Sequence, residues 1–443
     1  MRRISILYLI LVCVLLFTVI TGCAHDTVQS KDNSVFRVME LSAGELIEPA
    51  LGVQSTAARI AAGGANDFAF RLSAALATDI GADNFVCSPF SVWLPLAALV
   101  NATDARNRAE LLAALGAAGI SEADLNTAAS RMLYDLTRQG ALQFAAEQNM
   151  QSYDPLKIAN AIFVDNNVTL KREFAQTFLD YYRGSSINVD FSSNEAVDAV
   201  NKWASDNTDG LITEIINEFD PRTAAAIANA IYFSDRWVWE FNPGNTKEGM
   251  FHSPTGDKSA FFMLREGDNQ VYYEDERVQA MPLRFKTGGG LYIILPKDGD
   301  ATGLLSSMTS EYFNEIQNDS IVASGKLLLP RFSIESGVME LGGVLTSLGV
   351  PLFSEAAAPL TGGLIEEHMP VWISKIVQKA LIKVDENGTT AAAVTVIPDD
   401  GAAMPEPTEP FELICNRPFV FVLYSHTYDG GNQVLFTGVV NNP

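Results

Sequence analysis

Few residues in this chain have the type and spacing that catalysis by its own side chains would require. The four histidines, at positions 25, 252, 368 and 426, lie far apart, and none pair at the H-x-x-x-H spacing that sets two imidazoles on one helix face around zinc. No metal or other cofactor is called for. There is no G-x-S-x-G elbow to present a serine nucleophile, and Gly288-Gly289-Gly290 lies between strand-like runs, where a turn is expected rather than a phosphate cradle. Of the four cysteines, Cys13 and Cys23 fall in or beside an N-terminal targeting segment. Cys87 and Cys415 sit in apolar stretches and read as small core residues, with a pairing between them left open.

The chemically distinctive stretch is suited to being cut rather than to cutting. Residues 386–410 divide into two chemistries: 389–397 are small and β-branched and able to form a strand, whereas 398–410 are rich in proline, glycine and acids and are not. A connection of this length within a domain is usually functional or disordered. If the first part paired, Thr389, Ala391, Ala393, Thr395 and Ile397 would share a face, and such small groups pass between strands at low steric cost. The pattern predicts a strand held in reserve.

The elements that must position this segment are mixed. The chain has 443 residues, 48% hydrophobic and 19% charged, enough to bury a large core. A helix stripe runs through Phe68, Leu72, Leu76 and Ile80. Ser88-Pro89 reads as a cap followed by a proline at the first helical position, and Phe174, Phe178 and Tyr181 mark another helix, as do Val197, Val200, Trp203 and Ala204. Strands are expected at 224–233, 291–295, 327–332, 372–384, 419–424 and 434–440, the last two forming a buried hairpin. In 372–384 the apolar residues share one parity and Lys375, Lys379 and Lys383 the other, which predicts one buried and one wet face. The order is that of an α+β fold, with one body over 66–443 and no internal boundary.

Thirty Lys+Arg against 53 Asp+Glu give a net charge of −23, which repels polyanions and excludes a nucleic-acid partner as the working expectation. Met1-Arg2-Arg3 and the apolar run behind it form a secretory signal over residues 1–22. Its ending, Ile20-Thr21-Gly22-Cys23, resembles the bacterial lipobox, which implies cleavage before Cys23 and a lipid on its sulfur. Residues 23–65 then form the lipidated N-terminus and a tether with partial order at most. The protein is expected to be secreted and anchored to the cell surface or outer membrane.

Gly388-Thr389-Thr390-Ala391-Ala392-Ala393 after Val384-Asp385-Glu386 resembles the hinge of the serpins. Asn84-Phe85-Val86-Cys87-Ser88-Pro89-Phe90-Ser91 is similar to their N-x-x-x-S-P-x-S helix start, and Asn229-Ala230-Ile231-Tyr232-Phe233 with Trp237 to a signature strand. Leu329-Pro330-Arg331-Phe332, Arg417-Pro418-Phe419 and the C-terminal run from Phe436 to Pro443 follow in the family's order. The resemblance implies three β-sheets, about nine helices and an exposed reactive-centre loop.

It also implies a monomeric serine-type endopeptidase inhibitor, not an enzyme, forming a covalent 1:1 complex. A protease serine attacks a loop carbonyl, and residues 389–402 insert into the central sheet before the acyl-enzyme is hydrolysed. Counting from Glu386 carries the cut to Ala402–Ala403, where alanine suits the shallow pocket of elastase-like proteases. Ser88, Ser91, Asn229, Trp237 and Gln378 carry over as the shutter and breach groups, with Gln378 where many serpins have histidine. The alternative within the family is a non-inhibitory surface binding or carrier protein, against which the alanine-rich hinge argues.

Overall fold

The first long helix starts well before the expected limit of the body. The computed structural model describes residues 36–38 and 56–443, except 79, 356, 390–408 and 428–430. A helix spans Thr56–Ala77 and takes in the Ala61-Ala62-Gly63-Gly64-Ala65 run that reads as linker. The boundary expected at residue 66 therefore lies inside a helix, and the body reaches back at least to Thr56. The reason is packing: a Cβ on Gly64 would come within 2.4 Å of the Gly116 carbonyl oxygen. Glycine costs that helix about 1 kcal/mol in propensity but permits backbone contact. Further upstream, Phe36–Val38 pairs antiparallel with Ser185–Val189, a strand not foreseen between residues 35 and 65.

The core element is the helix Pro89–Leu99, whose eleven residues are all buried. Ser88 occupies the N-cap position without making a side-chain cap bond; its hydroxyl instead donates to the Leu435 carbonyl at 2.7 Å. Among the described residues there are ten α-helical segments. Glu122–Tyr134 continues through the π-helical turn Asp135–Gln139 into Gly140–Glu147, so nine separate helices result.

Sheet one has seven strands in the order Phe36–Val38, Ser185–Val189, Leu156–Asp165, Ala225–Phe233, Lys375–Val384, Phe332–Glu335, with Met339–Glu340 also against Lys375–Val384. A nine-stranded network makes up the rest. It divides at the 19-residue strand Gly256–Glu274, which pairs with Lys247–Ser253 and Ile321–Pro330 along most of its length. At its end, Tyr273 and Glu274 pair with Ala280 and Gln279 of the next strand. The one long strand thus serves two sheets, which gives three in all. The C-terminal hairpin Phe419–His426 and Asn432–Val440 lies between Gly290–Pro296 and Phe85–Cys87.

Lys375–Val384 begins three residues later than the pattern suggests, leaving Trp372 outside it. Ile376, Ala380, Ile382 and Val384 enter the main core, while Lys375 and Lys379 pair with Glu340 and Glu335. The second face is not simply wet, because Val377 is buried with Val200 and Trp203 of the helix Glu195–Asn207. That helix reaches the odd face at Val377, whereas Lys383 on the same face is exposed, as sequence parity suggests.

Candidate functional site

Ala225–Phe233 and Lys375–Val384 are neighbours that run parallel, in register from Lys375↔Ala226 to Leu381↔Tyr232. Each has an antiparallel neighbour on its other side, Leu156–Asp165 and Phe332–Glu335. A single strand running the opposite way between them would be antiparallel to both. The sheet has a second parallel contact, between Leu156–Asp165 and Ser185–Val189, but it is the seam between Ala225–Phe233 and Lys375–Val384 onto which the chain turns back at Gly388, so that one more strand there would complete an alternating order.

Halfway along the seam lies a buried polar row. Asn160, Asn229 and Gln378 are directly opposite one another across three strands. Gln378 Nε2 donates to Asn229 Oδ1 at 2.8 Å, to the Ser88 carbonyl at 2.8 Å and to Ser91 Oγ at 3.0 Å, while its Oε1 accepts from Ser88 N–H at 3.0 Å. Ser91 Oγ donates to Asn229 Oδ1 at 2.7 Å, and Asn229 Nδ2 donates to Asn160 Oδ1 at 2.7 Å. An amide supplies both donors and an acceptor here without any ionisation. These bonds tie the two strands to the start of the helix Pro89–Leu99, and the one joining Gln378 to Asn229 must break if the seam opens.

Above the seam the chain turns back. Asp385 N–H donates to the Gly388 carbonyl at 3.0 Å, and Gly388 forms an antiparallel bridge with Arg236. Trp237 N–H donates to the Asn387 carbonyl at 3.0 Å and its indole N–H to the Asp385 carbonyl at 2.9 Å, with the indole stacked on Phe285. Gly388 sits at φ +151, and a Cβ there would fall 2.0 Å from the Asp235 carbonyl oxygen. Thr389 is fully buried: its N–H donates to the Asp235 carbonyl at 2.7 Å, and its hydroxyl accepts from Asp235 N–H at 2.8 Å.

Glu386 fastens this turn to the rest of the body. Its carboxylate accepts from Arg331 Nε at 2.9 Å and from Thr246 Oγ1 at 2.5 Å. Burial would raise the carboxyl pKa, but the bonds from Arg331 and Thr246 outweigh it and hold the group below its ordinary value of 4.5. A depressed carboxyl contributes stability above that ordinary value and loses it as pH falls through the folded value. Acidification from above 4.5 down through the lowered folded value is therefore expected to loosen the turn. The check is the Trp237 fluorescence change on acid titration: it should be present in the wild type and shifted toward neutral pH or lost in Arg331→Met.

The structure thus gathers Ser88, Ser91, Asn229 and Gln378 in the middle of the seam and places Trp237 apart from them, with Glu386, Gly388 and Thr389 at its upper end. Thr390, Ala391, Ala392, Ala393, Ala402, Ala403 and Cys23 lie outside the described residues. Sequence reasoning missed Asn160, Thr246 and Asp235. A lone amide within Ile158-Ala159-Asn160-Ala161-Ile162 and an acid directly after an apolar strand were signals available for two of them. Cys87 and Cys415 are both free and buried; burial pushes the Cys87 thiol up to about 11, against hydrogen bonds with Thr437 and Ser73.

A family model, Serpin (serine protease inhibitor), matches residues 63–443. Serpin-Z4 of Hordeum vulgare is 30% identical over 393 residues, covering 85% of this chain and 94% of its own. Serpin-Z7 of the same plant is 29% identical over 392 residues with the same coverage. Among solved structures, Serpin48 of the insect Tenebrio molitor aligns with a TM-score of 0.74 and 27% identity over 88% of this chain and 100% of its own. The thermophilic serpin tengpin in its native state gives a TM-score of 0.74 at 24% identity, over 91% and 98%, a likeness of fold. With the seam, its polar row and the anchored turn in the family's sequence order, and a match that runs to the last residue, this chain belongs to the serpins, a family of serine protease inhibitors.

Proposed function

We propose that this serpin is a bacterial-type lipoprotein that traps elastase-like serine proteases as an irreversible suicide substrate. The protease serine attacks the Ala402 carbonyl, the peptide bond to Ala403 breaks with the amine leaving, and an acyl-enzyme remains on Ala402. Alanine at the cut favours a shallow primary pocket. Met404-Pro405 would put proline after the bond, and Gly401 offers no side chain.

The observation that carries this reading is the agreement of two registers. Gly388 opposite Arg236 sets the returning chain against one side of the seam, and the Asp385–Gly388 turn sets it against the other. Continued downward, both place residue 392 opposite Tyr232 and Leu381, which now face each other. Thr395 would arrive opposite Asn229 and Gln378, offering a hydroxyl at the level of the polar row. Thr389, Ala391, Ala393, Thr395 and Ile397 would point toward the main core. Pro398, level with Ala226 and Lys375, would bring a residue without a ladder donor only where the seam ends. Of the segment 389–402 drawn in after cleavage, 389–398 would have partners on both sides.

Cleavage before Cys23 and acylation of its sulfur would hold the inhibitor on the cell surface or outer membrane, each buried methylene adding about 0.8 kcal/mol. The reading is tested by incubating the chain from residue 24 onward with pancreatic and neutrophil elastases. A denaturing gel should show a 1:1 covalent complex, and mass spectrometry a new end at Ala403. Cleavage that leaves the proteases fully active would instead favour the surface binding or carrier alternative.

A further inference from the structure

Asp235 follows the strand Ala225–Phe233 at a distance of two residues and is fully buried, yet none of the ion pairs among the described residues involves it. Nearby charges are otherwise engaged: Arg236 and Lys286 both pair with Glu240. The carboxylate is held by hydrogen-bond donors instead. Oδ1 accepts from Arg236 N–H at 2.7 Å and from the Tyr153 hydroxyl at 3.1 Å; Oδ2 accepts from the Thr287 hydroxyl at 2.5 Å and from Thr287 N–H at 3.2 Å. Burial pushes the carboxyl pKa up from 3.8, against the lowering bonds from Thr287, Arg236 and Tyr153. A carboxyl placed there is costly unless its oxygens are satisfied, and here all four donors converge on it.

The same residue's backbone is what receives Thr389. Its N–H and C=O bond the Thr389 hydroxyl and N–H, and Ser234 Oγ donates to the Thr389 carbonyl at 2.8 Å. The strand's residue pairing with Leu156–Asp165 ends at Phe233; beyond it Ser234 N–H still donates to the Pro155 carbonyl at 2.7 Å, and the Arg236 carbonyl accepts from Lys286 N–H at 2.9 Å. The side chain of Asp235 adds to these bonds, joining the peptide to Tyr153 on one side and to the turn at Thr287 on the other. We propose that Asp235 is the positioning residue for hinge docking: its carboxylate shapes the 234–236 peptide so that Thr389 is seated and strand insertion begins from a set register. In its consequence for trapping, this rests on the inhibitory reading above.

The test uses the chain from residue 24 onward and two readouts. The first is hydrogen exchange at the Thr389 amide, which needs no protease. In Asp235→Ala it should speed up roughly tenfold or more, about what losing a hydrogen bond or two allows, while the Asn229 amide in the middle of the seam stays unchanged. Asp235→Asn should recover part of the protection, since an amide oxygen still accepts from Arg236 N–H and Tyr153. Thr287→Val and Tyr153→Phe, which remove donors singly, should shift exchange in the same direction and serve if Asp235→Ala does not fold. The second readout is the partition of an elastase acyl-enzyme between trapping and hydrolysis, which should move several-fold toward hydrolysis with the rate of loop cleavage unchanged. Thr389 exchange within twofold of wild type in the folded variants, or an equal acceleration at Asn229, overturns the assignment. If wild type traps no protease, the inhibitory reading fails on its own and Thr389 exchange still decides the role of Asp235.

Discussion

Cutting the chain between Ala402 and Ala403 should raise its melting temperature by about 10–15 °C, where a nick in an ordinary domain lowers stability or leaves it alone. The seam between Lys375–Val384 and Ala225–Phe233 is the physical reason. Some ten residues entering it would each find backbone partners, at a net gain of about 1 kcal/mol per hydrogen bond, with further gain from burying Ile397 and the hinge methyl groups. The bond joining Gln378 to Asn229 is lost in the exchange, and Thr395 would offset part of that loss. A gain on this scale rivals the whole stability of a typical domain. Differential scanning calorimetry before and after limited elastase digestion measures it, and an unchanged melting point would remove the basis for trapping.

Ala393→Arg should convert the inhibitor into a substrate. By the register that Gly388 sets, residue 393 would lie between Ile231 and Ala380, both fully buried in the main core. An unpaired guanidinium there costs several kcal/mol, and each 1.4 kcal/mol on the insertion barrier slows it about tenfold. Hydrolysis of the acyl-enzyme then wins. We expect at least about tenfold more inhibitor consumed per protease trapped, with the first cleavage as fast as before, because the substitution is remote from the bond. Ala392→Arg is the control: its neighbours, Tyr232 and Leu381, are only half-buried, so the loss should be much smaller. Equal effects from the two variants would show that the register is wrong.

Apart from Asn160, the groups in and around the polar row were legible because short signatures carry them: Ser88 and Ser91 bracket a helix start, Asn229 opens an apolar strand's second half, and Gln378 interrupts another. What the sequence could not reveal was which strands lie side by side. A period of two fixes the face of a strand but says nothing of its neighbour, so the parallel contact of Ala225–Phe233 with Lys375–Val384, separated by more than a hundred residues, emerges only from the structure. The early start of the helix at Thr56 was hidden for a different reason. Gly63 and Gly64 read as breakers, whereas the space that Gly64 leaves is filled by the chain at Gly116. Asp235 was passed over because an acid beyond a strand end usually faces water, and here the turn at Thr287 closes over it.

Gly388 bears on how this serpin can change over many generations. At 388 the fold reserves a volume in which nothing is to be placed, since even a methyl group would collide with the Asp235 carbonyl. On the inhibitory reading, the bait that faces a protease could diversify farther along the loop, while this one vacancy holds position 388 to the residue type that carries no side chain at all.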